Sequence, residues 1–149
     1  MPKEFVLRGK IAVNGQTKLN FSGGDRAYGY QLRKFELWGA DDILGASAAF
    51  EYCGVLSADN VAADPIAPDF NDPAQIGVAL WGVTHNLVTH VPAGSSVIDD
   101  LFIITQDLIL AISGSASTSC NYLLKFEQVK LSGPAEAANN YKQYLIFDD

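Results

Sequence analysis

The chain has 149 residues, 48% hydrophobic and 18% charged, with two Cys, two His and a formal charge of −7. That length and composition suffice for a single domain over residues 1–149 with its own core, so general disorder is excluded and no disulfide framework or structural metal is needed. The acidity argues against broad binding to nucleic acid or an anionic bilayer, and no apolar stretch approaches the roughly 20 residues of a membrane span.

Residues 4–13 alternate, with Phe5, Leu7, Ile11 and Val13 on one face and Glu4, Arg8 and Lys10 on the other, which predicts a half-buried strand. The same charges interrupt the place where a signal peptide needs its apolar core. Asn14-Gly15 tolerates positive φ, and Thr17 to Phe21 resumes the alternation, so a β-hairpin is expected, with Lys18 joining Arg8 and Lys10 on one basic face. Ser22 to Asp25 reads as a turn. Tyr30 to Trp38 reads as a strand whose parity slips between Leu32 and Phe35, and a bulge near Arg33-Lys34 reconciles its halves.

Ala46 to Leu56 is the next strand. Ser57 to Pro73, with three Pro and four Asp, is the one long loop. Gln75 to Thr84 is apolar on both faces, as in a central or interface strand. Pro92 to Ser96 reads as a turn, and Val97 to Thr105 and Asp107 to Ser113 as short strands. After a small-residue turn, Asn121 to Leu131 is the last strand, with a second parity slip at Glu127-Gln128. Ser132-Gly133-Pro134-Ala135-Glu136 carries a helix-start pattern, so a short C-terminal helix or tail is expected. About eight strands with hairpin connections and one long loop predict an all-β antiparallel β-sandwich of jelly-roll type.

Chemistry-bearing patterns are sparse. His85 and His90 stand five apart, which in a continuous strand places them on opposite faces, and no nucleophile elbow, phosphate loop or zinc spacing occurs. Asp69-Phe70-Asn71-Asp72-Pro73, with Asp59 and Asp64, could gather oxygens for calcium, but these residue types favour turns, and the turn role is preferred. Cys53 and Cys120 could pair; their apolar strand contexts favour two buried thiols. No catalytic residue, cofactor or metal is expected, and the chain reads as a non-enzyme.

Charge is uneven along the chain. Residues 1–34 carry a net +5, residues 35–124 hold eleven acids and no Lys or Arg, and the remainder carries −1. Arg8, Lys10 and Lys18 are therefore candidates for a subunit-interface or interior-facing basic face, and Asp64, Asp69 and Asp72 for acidic loop contacts. Trp38 and Trp81 are candidate aromatic contacts. Trp81, Val83, Val88, Val91, Leu101, Ile103, Leu108 and Leu110 exceed what one inner sheet face needs, which points to an oligomer interface.

The layout of a strand from Glu4, the Asn14-Gly15 turn, the Pro- and Asp-rich loop and a final strand with a short tail resembles the small β-sandwich structural proteins of viruses and phages: jelly-roll coats, decoration and spike-base proteins. The resemblance implies a self-assembling capsid or virion component, a homo-oligomer that also meets other virion proteins, located in the virion. Outside a virus the expected location is the cytoplasm. Such coats often carry an arginine-rich N-terminal arm; it is not present here, so direct nucleic-acid binding is not expected. The alternative is a carbohydrate- or ligand-binding sandwich built around Trp38 or Trp81.

Overall fold

The computed structural model describes residues 3–21, 28–40, 50–59, 62–85, 90–115 and 119–131. The expected C-terminal helix, the Ser22–Asp25 turn, residues 46–49 of the fourth predicted strand and Val88 lie outside them. Eight strands form two antiparallel sheets: β1 (Glu4–Ala12), β2 (Gln16–Leu19), β3 (Tyr28–Gly39), β4 (Phe50–Ser57), β5 (Gln75–His85), β6 (His90–Ile98), β7 (Leu108–Gly114) and β8 (Ser119–Lys130). One sheet has the order β1-β8-β3 and the other β2-β7-β4-β5-β6. First pairs with last, second with seventh and fourth with fifth, three of the four nested pairs of a rolled-up hairpin of the jelly-roll kind, while the sixth strand pairs with the fifth rather than with the third. Among the described residues no helix is long and apolar enough to cross a membrane.

The expected β1–β2 hairpin does not form. β1 pairs with β8 along its whole length, while β2 pairs with β7 in the other sheet. A two-residue hairpin of the favoured type needs positive φ at both central residues, and here Asn14 alone has it, at 65°. The Gly15 N–H instead donates to the Ala12 carbonyl (3.0 Å), the Ile112 N–H donates to the Gly15 carbonyl (3.0 Å) and the Ser113 hydroxyl donates to Asn14 Oδ1 (3.0 Å). These bonds turn the chain from one sheet into the other, so Lys18 shares no face with Arg8 and Lys10.

The bulge in β3 stands where the parity slip placed it. The β3–β8 register shifts between Leu32 and Lys34, which lets Leu32 and Phe35 both point inward, fully buried. Arg33, the extra residue, reaches Glu127 (2.8 Å) and Gln31 Oε1 (2.9 Å). β8 carries no extra residue of its own: Glu127 and Gln128 pair in consecutive register with Gln31 and Tyr30. Pro92 to Ser96 is strand rather than turn, within the edge strand β6, where a residue without an N–H can be tolerated on the open side. Strand order ends at Ile98, because Asp99 Oδ1 accepts the N–H groups of Leu101 (3.1 Å) and Phe102 (3.2 Å). Beyond that turn only the Tyr30–Ile104 bridge continues the ladder beside β3.

The core lies between the sheets. Trp81, Val83, Leu108 and Leu110, read as surplus apolar surface, are buried in it, whereas Leu101 stands in solvent. At one end Phe126 stacks on Phe5 (centroids 5.3 Å) and meets Phe21 edge-on (5.0 Å). Truncating Phe126 to Ala should lower unfolding free energy by about 3–5 kcal/mol, since it removes a buried ring that others close on. A urea titration followed by tryptophan fluorescence measures this.

Candidate functional site

The outer face of the smaller sheet builds the site from cross-strand rows. Lys10 on β1 stands opposite Asn121 on β8, which stands opposite Trp38 on β3; the next row is Arg8, Leu123 and Glu36. These residues project outward because Ile11, Phe35, Leu37, Cys120 and Leu124, one position on, fill the core. Both rows line a groove of about 1000 Å³, whose other walls are Leu80 and Trp81 of β5 and Gly94 to Ser96 of β6. That volume is at the upper end of ligand-sized clefts, roughly 300–1,000 Å³.

Two tryptophans set its shape. Trp81 is 1% exposed and stacks nearly parallel on Tyr52 (6.0 Å, 19°), while Trp38, 5.2 Å from it, is 52% exposed. The space for Trp81 depends on glycine: a Cβ at Gly39 would fall 2.5 Å from its ring, and one at Gly94 3.1 Å. Trp81 thus forms a floor and Trp38 an open platform. Leu80, 52% exposed, adds an apolar rim.

Electrostatics distinguish the groove from the surrounding sheet. Lys125 pairs with Glu4 (3.0 Å), Lys34 with Glu36 (3.3 Å) and Arg33 with Glu127, but among the described residues Arg8 and Lys10 have no ion pair. Lys18, by contrast, lies 3.4 Å from Asp107, whose other oxygen accepts the Phe21 N–H (2.7 Å). Arg8, Lys10 and Trp38 therefore come together and Lys18 does not. Trp81 reaches the same groove from its floor.

The acidic candidates sit elsewhere, in the loop between β4 and β5. Asp64 Oδ1 accepts the Ile66 N–H (3.0 Å), Asp69 Oδ1 that of Asn71 (2.9 Å) and Asp72 Oδ1 that of Ala74 (2.9 Å), three successive turns capped by the residue types that favour them. Such turns account for the Asp-rich composition without an ion. Asn121, Ser95, Ser96 and Leu80 were missed as groove residues, because their convergence depends on strand order. His85 and His90, expected on opposite faces of one continuous strand, instead end β5 and begin β6 as register partners.

Cys53 and Cys120 are both free, on β4 and β8 in different sheets. Burial pushes the Cys120 thiol up to about 11, partly offset by a lowering backbone hydrogen bond at Trp38, and burial with the Glu51 charge raises Cys53. The neutral thiol is the form the fold favours, so the Cys120 contribution to stability is intact below about 9 and is lost as pH rises toward 11. Brief alkylation of native protein near pH 8 should label the half-buried Cys53 ahead of Cys120, with the second label added rapidly only on unfolding, as intact mass will register.

No protein-family model matches the chain, and no curated protein matches it. Among solved structures it is similar to a mitogen derived from Yersinia pseudotuberculosis, at 13% identity over 89% of each chain, with a TM-score of 0.32. At that identity and score the likeness carries nothing about ligands or partners.

Proposed function

We propose that the protein is a non-enzymatic structural subunit that self-assembles, a component of a viral or phage capsid or virion whose partners are further copies of itself and other proteins of the particle. The observation that carries this reading is the exposure of Trp38 and Leu80 at one groove beside two cations that make no ion pair among the described residues, apolar surface of a kind that monomers rarely leave in water. Support also comes from the three nested strand pairs, a feature of an architecture on which viral coats are built. The edge of β6, nine residues long and without a further strand beside it among the described residues, is a second place where a neighbour can add.

Absolute mass by light scattering over a concentration series should give species heavier than the 16.0 kDa chain, dissociating as salt rises from about 0.05 to about 0.5 M, with rings or shells in electron micrographs. A monodisperse monomer throughout would sink the reading.

The Lys10–Asn121–Trp38 row favours one second reading, a carbohydrate- or ligand-binding module. An indole face with an amide and an ammonium beside it is a means of stacking a sugar ring and holding its hydroxyls. Here a glycan array, run with and without calcium, should give hits that Trp38→Ala abolishes. A blank array removes this reading.

A further inference from the structure

Outside the groove, the largest unexplained feature is the loop joining β4 to β5. It is tightly held: besides its three Asp-capped turns, the Ala67 N–H donates to the Asp64 carbonyl (3.1 Å), Asp72 to Asp69 (3.1 Å), Gln75 to Asp72 (3.1 Å) and Ala58 to Ala74 (2.7 Å). The Asp69 N–H also donates to Gln75 Oε1 (2.7 Å). Yet this pre-formed loop places Ile66, between the exposed Asp64 and Asp69, at 79% exposure, and Phe70, the residue after Asp69, at 53%.

The groove offers the complement: an apolar platform of Trp38 and Leu80 flanked by Arg8 and Lys10. We propose that this loop of one copy seats in the groove of the next, Phe70 against Trp38 and Leu80, with Asp64 and Asp69 facing Arg8 and Lys10. The inference rests on the self-assembly reading and names the two surfaces that carry it. The loop does not line its own groove. It is anchored at Gln75, where β5 begins, whereas Trp81 lies six residues along that strand, about 20 Å away. The occupant is therefore a second copy.

Two different patches make the contact head-to-tail, so it propagates into a ring or an open array rather than stopping at a two-fold dimer. Asp72, which is half-buried, is left out of the contact, and so is Lys18, on the other sheet.

Complementation of two variants tests this. The groove variant is R8E/K10E, at exposed positions of β1. The loop variant is D64N/D69N/F70S, in which Asn keeps the capped turns and removes the charge. Each, once its circular dichroism and melting temperature match the parent, should remain at monomer mass. Mixed in equal amounts they should form a dimer of about twice 16.0 kDa and nothing larger, because each supplies the one surface the other lacks. Should R8E/K10E fail to fold, R8Q/K10Q replaces it and should weaken association at least about tenfold. Assembly of either folded variant at the parent's concentration overturns the inference while self-assembly stands. A mixture that stays monomeric overturns it too. A parent that is monomeric at every concentration removes the self-assembly reading and this contact with it.

Discussion

The architecture depends on one corner. Asn14, held at positive φ, sends the first two strands into different sheets, and that separation leaves β8 free to take β1 on one side and β3 on the other. Had β1 and β2 paired locally, Arg8 and Lys10 would face Lys18 across a hairpin and mutual repulsion would disperse them into solvent. Paired with β8, they stand instead in register with Asn121 and Leu123, and through them with Trp38 and Glu36. The groove exists because a short-range turn gave way to a long-range pairing.

Packing at the sheet margin then gives the groove its depth. Trp81 belongs to the larger sheet but its ring extends toward β3, into space left by Gly39 and Gly94. Any side chain at Gly39 would press on that ring and force it or its neighbours to shift. Trp38 is left uncovered as a consequence: the interior beside it is already occupied by an indole, and its own strand position points outward. An exposed tryptophan is therefore a product of strand parity and a filled core, rather than of local sequence.

This division marks how much could be read in advance. Alternation identified most strands, and the bulge was legible because Leu32 and Phe35 could face one core only if an extra residue lay between them. The slip at Glu127-Gln128 misled, since β8 tapers into partial burial at its end instead of bulging. Asn14-Gly15 misled because hairpin turns and sheet-crossing corners use the same residue types. Of the site, Arg8, Lys10 and Trp38 could be singled out by charge and chemistry. Their partners Asn121, Leu80 and Ser95 carry no local mark, since nothing in a strand's sequence says which strands flank it. Phe70 likewise carries no such mark, because an aromatic residue in a loop can fold back onto the core as readily as stand in solvent.

Charge decides how such a surface can work. At −7 per chain, copies repel at long range, so apolar contact between Phe70 and Trp38 could not form at random orientations without bringing acidic faces together. Arg8 and Lys10 create a local positive region where the acidic loop is attracted, which selects one orientation out of many. The rigidity of the loop lowers the ordering cost of binding, because its turns are already closed before contact. The same features bear on the carbohydrate reading. A sugar stacked on Trp38 would occupy the platform that Phe70 needs, so ligand and neighbour compete for a single site. Binding of a glycan and growth of an assembly through this groove are then opposed rather than additive, and a chain that does both must do them at different times.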